Sequence, residues 1–133
     1  MKPKRINLLD PDFINEVFTA EDFKDSIVFF DDVDVFPKHV KKNVMNIVNS
    51  ILQIGRHYNV SICFTVHNPN KGAETQILLT EANIIHVFPR TTGSSALKYL
   101  QNNYLGLDTK QIKEIKRGKQ EPFQLFVIIL LLF

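Results

Sequence analysis

The stretch Ser26-Ile27-Val28-Phe29-Phe30-Asp31-Asp32 carries the strongest fold signal in this chain of 133 residues. Residues 27–30 are all β-branched or aromatic, and such a short, unbroken apolar run is typical of a strand buried in a parallel sheet. Two carboxylates follow the run directly. Because ligands of α/β proteins bind at the carboxyl ends of the strands, this stretch also indicates where a functional site would lie.

Further apolar runs and helical patterns alternate on both sides of this stretch. Strands are predicted at residues 60–66, at 83–88 and from 123 onward. Helical spacing, proline at a helix start and a capping-box pattern at Asp108-Thr109-Lys110-Gln111 predict helices over residues 11–18, 38–56, 74–79, 94–104 and 108 to about 117. This order predicts one α/β domain over residues 1–133, with a mostly parallel sheet flanked by helices.

Composition excludes several classes of protein. Hydrophobic residues make up 44% and charged residues 23% of the chain, as in globular proteins, and the formal net charge of +2 argues against a polybasic nucleic-acid arm as the main feature. A single cysteine, Cys63, excludes a disulfide framework and a cysteine-based zinc site. The N-terminus lacks a signal peptide, and the apolar run at 123–133 has about half the length of a membrane-spanning helix. We therefore expect a protein that is not secreted and has no transmembrane span.

Asp31 and Asp32 are the candidate metal ligands. Magnesium prefers hard oxygen ligands and keeps several of its waters, so a carboxylate at a strand end can hold it directly or through water. A second carboxylate beside the first can orient or deprotonate an attacking water. Aspartate is also common in turns for purely structural reasons, so the pair alone leaves a structural role open.

Two polar residues, Thr65 and His67, end the second predicted strand. We expect them to face Asp31 and Asp32 across the crevice, where a neutral histidine can hydrogen-bond a phosphate or a water. A role of His67 in opening the turn is the alternative. The loop that follows, residues 68–72, does not match the phosphate-binding pattern G-x-x-x-x-G-K-[ST].

The order of these short motifs is more informative than any one of them. The strand ending in Asp31-Asp32 is followed by a helix ending in Gly55-Arg56-His57, then by Thr65-Val66-His67-Asn68-Pro69, and then by residues 81–90, which include Ala82-Asn83-Ile84 and end in Arg90. This run resembles the second half of the FtsK/HerA superfamily of P-loop motor ATPases, nearest to the genome-packaging ATPases of large double-stranded DNA viruses. The resemblance covers about residues 26–107.

The resemblance implies a RecA/FtsK-like P-loop core that is incomplete at its N-terminus, because no Walker A motif occurs in the 133 residues. It places Asp31 in the magnesium shell of the bound nucleotide. Asp32 takes the position of the catalytic acid close to the metal, where the family more often has glutamate. His67 or Thr65 falls at the position of the polar sensor residue that follows the next strand.

Arg56 and Arg90 are the two candidates for an arginine that reaches the nucleotide of a neighbouring subunit and stabilises charge on its γ-phosphate. A surface salt bridge is the alternative for either. The implied cofactors are Mg²⁺ and ATP, and the implied partners are double-stranded DNA and further copies in a homo-oligomeric ring. The implied location is the host cytoplasm or the virion for a viral protein, and the cytoplasm otherwise. Without a Walker A motif, we do not expect the chain to hydrolyse ATP alone.

Two other functions compete with the motor. The first is a catalytically inactive binding module, or one half of a split ATPase, as the missing phosphate loop indicates. The second is a haloacid-dehalogenase-like phosphohydrolase, because Asp32-Val33-Asp34 is an Asp-x-Asp at a strand end. Phe36 and Pro37 then replace residues that this class would need. The densest basic stretch offers a DNA contact or simply a solvated helix face: Lys110, Lys113, Lys116, Arg117 and Lys119.

Overall fold

The computed structural model describes residues 2–69, 72–87, 94–117 and 127–131. Within them lie the strands β1 (Ile27–Phe30), β2 (Ser61–Val66), β3 (Ile84–Val87) and β4 (Val127–Leu131). The helices are α1 (Pro11–Asn15), α2 (Lys38–Ile54), α3 (Gly72–Glu81), α4 (Ser94–Leu100) and α5 (Thr109–Arg117). Short 3-10 turns occur at Ala20–Phe23, Val33–Val35 and Gly55–Tyr58, and a π turn at Gln101–Leu105. The α/β class is confirmed.

Local sequence fixes the helix starts. The backbone N–H of Asp12 donates to the Asp10 carboxylate at 3.0 Å, and Pro11 occupies the first turn of α1. At the start of α5 the N–H of Asp108 donates to the Gln111 side chain at 2.9 Å, and the N–H of Gln111 donates back to Asp108 at 2.8 Å. This is the reciprocal capping box that the sequence predicts.

The sheet has the strand order β1-β2-β4-β3. β1 and β2 pair in parallel, whereas β4 pairs antiparallel with both β2 and β3. The prediction of a mostly parallel sheet is therefore wrong for the pairing, although β1, β2 and β3 all run in the same direction. The apolar sequence of β4 does not indicate whether it runs parallel or antiparallel to its neighbours. A parallel pairing requires a crossover connection between the two strands.

Two residues with left-handed backbone set the register of β1 against β2. Asp25 (φ 57°) and Asn59 (φ 54°) each lie two residues before a strand, and the Asn59 amide donates to the Asp25 carboxylate at 3.1 Å. The N–H of Asp25 donates to the carbonyl of Tyr58 at 2.9 Å, and that of Ser61 donates to the carbonyl of Ser26 at 3.0 Å. Aspartate and asparagine tolerate this backbone better than most residues. Their bonds align the two strands, and this alignment carries through to the carboxyl ends.

The core lies on one face of the sheet. Val28, Phe30, Ile62, Phe64 and Val66 turn toward it, and the Phe30 and Phe64 rings lie 5.6 Å apart. α2 covers this face with a stripe of buried residues at helical spacing: Val40, Val44, Ile47, Val48 and Ile51. Leu78 and Leu79 of α3 and Leu100 of α4 belong to the same core.

The opposite face of the sheet carries apolar side chains that the described residues leave open. Ile27 is 58% exposed, Phe29 71% and Ile84 46%. The prediction that the first strand is buried is thus wrong for this face, whereas Phe30 on its other face is buried in the core. No helix in the described part of the chain has the length and apolarity needed to cross a membrane.

Candidate functional site

The strand register brings the predicted residues together. Phe30 pairs with Phe64, so the next residues along the two parallel strands, Asp31 and Thr65, lie side by side at the carboxyl edge of the sheet. The Thr65 hydroxyl donates to Oδ1 of Asp31 at 2.7 Å. Asp31 is exposed, so its carboxylate is open to a ligand from solvent.

Asp32 leaves the strand through a left-handed backbone conformation, with φ 55° and ψ 37°. Its N–H donates to the Thr65 hydroxyl at 3.1 Å. This conformation is uncommon for a residue other than glycine, though aspartate is among those that adopt it most readily. Thr65 therefore contacts both aspartates, through a side chain in one case and a backbone group in the other.

His67 contacts the second aspartate. Its Nε2 lies 2.5 Å from Oδ1 of Asp32, and the two side chains are 43% and 40% exposed. Oδ1 itself is buried and has no hydrogen-bond partner in the described residues, so the contact is an ion-pair distance without hydrogen-bond geometry. A buried carboxylate oxygen without a hydrogen bond is costly unless another group compensates it. The Asp32 oxygen thus depends on His67, the group that faces it at contact distance, for this compensation.

Cys63 is a neighbour of the site that the sequence did not single out. It lies two residues before Thr65 on β2 and is 5% exposed. Burial raises the pKa of the Cys63 thiol, and the negative charge of Asp31 raises this pKa further. The sequence could have indicated this neighbour, because side chains two residues apart on a strand, such as Cys63 and Thr65, lie on the same face.

The donor set fits magnesium bound together with phosphates. Mg²⁺ is commonly held by one or two carboxylates, with waters and substrate phosphates completing its shell. Asp31 and Asp32 supply such a pair: Asp31 is exposed, and the Asp32 side chain is 40% exposed although its Oδ1 faces His67. No group of three or more His, Cys, Asp or Glu side chains that could hold a metal occurs among the described residues. No Walker A motif occurs in the 133 residues.

The other predicted residues do not join this cluster. Arg56 is exposed in the turn that precedes β2, at the end of that strand opposite to Thr65. Arg90 lies outside the described residues. Asp34 is exposed in the turn Val33–Val35 and, among the described residues, makes no hydrogen bond or ion pair with the cluster. Only the first aspartate of the Asp-x-Asp, Asp32, thus contacts Thr65 in the described residues.

The chain is similar to a viral protein of greater length. It is 36% identical over 107 residues to a protein of the Sputnik virophage named "Uncharacterized protein V3". The matched segment is 78% of this chain and 43% of the virophage protein, so the chain spans less than half the length of that relative. No protein-family model matches the chain, and no solved structure matches it.

Proposed function

We propose that this chain supplies the acidic, magnesium-binding part of an ATP-driven motor that translocates double-stranded DNA, of the kind that packages viral genomes. The observation that carries the proposal is the cluster of Asp31, Asp32, Thr65 and His67 at the carboxyl ends of two adjacent parallel strands. A site at this edge of an α/β sheet is where a nucleotide is expected. The motif order along the chain supports the same interpretation, and the similarity to a virophage protein supports a viral setting for it.

The two aspartates have different surroundings, which suits two different roles. Asp31 is exposed and fixed by one hydrogen bond, as suits a ligand of Mg²⁺, which would offset the negative charge of the phosphates when bound. Asp32 has one oxygen buried against an imidazole, which leaves its other oxygen to orient the attacking water and accept its proton. His67 would hold Asp32 in place, and the same imidazole ring would form a hydrogen bond to the phosphate.

The chain lacks a phosphate cradle, so the proposal requires further polypeptide. The virophage relative extends well beyond the matched segment, and we expect its additional length to contain the residues that hold the phosphates. The alternative is a catalytically inactive binding module. The open apolar face of the sheet, with Phe29 71% exposed, favours that second function, because it gives a partner a surface to cover.

The position of Arg56 bears on the assembly. It lies before the amino end of β2, whereas Asp31 lies at the carboxyl edge of the sheet. A role in catalysis would then require a neighbouring subunit, as in a homo-oligomeric ring. Arg90 remains the second candidate.

DNA binding is proposed for the exposed basic residues of α5. Lys110, Lys113 and Arg117 are exposed on this helix, at a spacing that places them within one broad face. Contacts of this kind bind phosphates without reading sequence, and salt weakens them. Such a motor would work in the host cytoplasm or in the virion.

A chimera with the virophage relative tests the proposed function. Its matched 107 residues are replaced by those of this chain, and Mg²⁺-dependent ATP hydrolysis is measured. The proposal predicts hydrolysis by the chimera and a loss of about 100-fold or more in kcat for Asp32→Asn, the range typical of a removed general base. The Glu21→Gln variant, which changes an exposed acid eleven residues before Asp32, is the matched control and should keep the rate.

Two outcomes would contradict the proposal. The first is the absence of Mg²⁺-dependent hydrolysis in both the relative and the chimera, which would favour the inactive module. The second is a chimera whose rate survives Asp32→Asn. Hydrolysis of a simple phosphate ester by the 133-residue chain alone, lost in Asp34→Asn, would instead revive the phosphohydrolase.

A further inference from the structure

We propose that Thr65 is a positioning residue, because its single hydroxyl fixes both aspartates of the site. While the hydroxyl does so, it cannot donate a hydrogen bond to the nucleotide. The inference rests on the proposed function in so far as it takes Asp31 to be the metal ligand. It separates two residues that sequence alone left as alternatives, Thr65 and His67.

The hydroxyl has a limited number of bonds to give. A threonine side chain carries one O–H donor and two acceptor lone pairs. In Thr65 the hydrogen goes to Oδ1 of Asp31 at 2.7 Å, and one lone pair accepts the N–H of Asp32 at 3.1 Å. Thr65 therefore cannot donate to a phosphate or an attacking water while it holds Asp31. Of the two alternatives at this strand end, His67 is then the candidate for such a contact.

The first bond orients the metal ligand. It engages one carboxylate oxygen of Asp31, which restricts rotation of the group and leaves the other oxygen for a cation. Because a hydrogen bond to an ionised acceptor is stronger than one between neutral groups, this bond is able to resist thermal rotation. A residue that orients a ligand in this way commonly affects metal affinity by 10- to 100-fold.

The second bond holds an unfavourable backbone. Asp32 has φ 55°, which is disfavoured for residues with a side chain, and its N–H is held by Thr65 rather than by a neighbouring strand. This turn brings Oδ1 of Asp32 to His67, while Asp31 remains with Thr65. Two adjacent like charges thus have separate partners.

The test compares Thr65→Val, which removes the hydroxyl at nearly constant shape, with Thr65→Ser, which keeps it. Thr80→Val is the matched control, because the Thr80 hydroxyl is exposed in α3, donates to the Gln76 carbonyl at 2.8 Å, and contacts Tyr104 rather than the site. Two quantities are measured on the full chain: hydrogen exchange of the Asp32 amide by NMR, and Mn²⁺ affinity. We expect Thr65→Val to speed the exchange and weaken Mn²⁺ binding by about tenfold each. Thr65→Ser should stay within about twofold of the wild type, and Thr80→Val should match it.

The two readouts separate the two proposals. If Mn²⁺ binding is lost in Asp31→Asn but both readouts are unchanged in Thr65→Val, the positioning role is wrong and the metal site stands. If the wild type binds no Mn²⁺, the proposed function fails, and exchange of the Asp32 amide still decides whether Thr65 holds the turn. An Asp32 amide that exchanges in the wild type as fast as in an unfolded chain overturns the positioning role even where Thr65→Val does not fold.

Discussion

At the scale of the residue, the site consists of a shared hydroxyl and two differently held carboxylates. Sequence alone selected Asp31, Asp32, Thr65 and His67 and expected them to face each other. The structure brings all four into contact. The sharing of Thr65 by both aspartates was not predictable, because it depends on strand register, and a slip of one residue would have turned Thr65 to the other face. The left-handed backbone of Asp32 has no signal in the sequence beyond a residue type that tolerates it.

Cys63 offers a chemical probe of the charge on Asp31. Because burial and the Asp31 carboxylate both raise the pKa of its thiol, alkylation should require a higher pH than for an ordinary cysteine. Replacing Asp31 by asparagine removes the second cause, so the pH at which alkylation reaches half its maximal rate should fall. The rate of reaction with iodoacetamide, followed from pH 7 to 11, measures this midpoint.

The control for that experiment is Asp34→Asn, which neutralises an exposed carboxylate three residues along the chain. It should leave the midpoint unchanged. A midpoint that moves equally in both variants, or not at all in Asp31→Asn, would show that Asp31 does not act on the thiol. The direction also bears on stability: since the folded state holds the thiol proton more tightly, the free energy of unfolding should decline once the pH exceeds the ordinary thiol pKa of about 8.5.

At the scale of the element, chain segments with local signals were predictable and those that depend on pairing were not. The caps at Asp10 and Asp108 and the apolar stripe of α2 are local, and the structure has helices at those places. The direction of β4 depends on its partners, so an apolar run gave the strand but not its antiparallel pairing. The exposed side of β1 likewise depends on which helices reach it.

Gly55 tests how closely α2 packs against β2. A Cβ on this residue would lie 2.7 Å from Cγ2 of Ile51, which is fully buried, and 3.3 Å from the carbonyl oxygen of Val60. Alanine should favour the helical backbone, but the clash outweighs that gain. We expect Gly55→Ala to lower the free energy of unfolding by about 1–3 kcal/mol in urea denaturation.

Gln53→Ala, an exposed change two residues earlier, is the comparison and should stay within about 0.5 kcal/mol of the wild type. Equal stability of the Gly55→Ala protein would mean that the end of α2 can move away from β2. Close packing would then not be the reason for glycine in the Gly-Arg step at 55–56.

At the scale of the whole molecule, the core covers one face of the sheet and leaves apolar residues of the other face exposed in the described residues. Sequence indicated an α/β protein and a missing phosphate loop, but it could not show which face would stay open, since the strand runs are apolar on both sides. The carboxyl edge of β1 and β2 carries the acidic cluster next to that face. The chain matches 43% of the virophage relative. The rest of that relative is long enough to cover the exposed face of the sheet and to bind the phosphates, as the proposed function requires.

We propose that Asp31 and Asp32 form a magnesium site at the carboxyl edge of the sheet. Titration of ¹⁵N-labelled protein with Mn²⁺ tests it most directly, because the paramagnetic ion broadens the amide signals nearest to it. We predict that the amides of Asp31, Asp32 and Thr65 broaden first, that Mg²⁺ reverses the effect, and that Asp31→Asn abolishes it. Broadening that begins at exposed acids elsewhere, such as Asp12 or Glu21, and is unchanged in Asp31→Asn would contradict the claim.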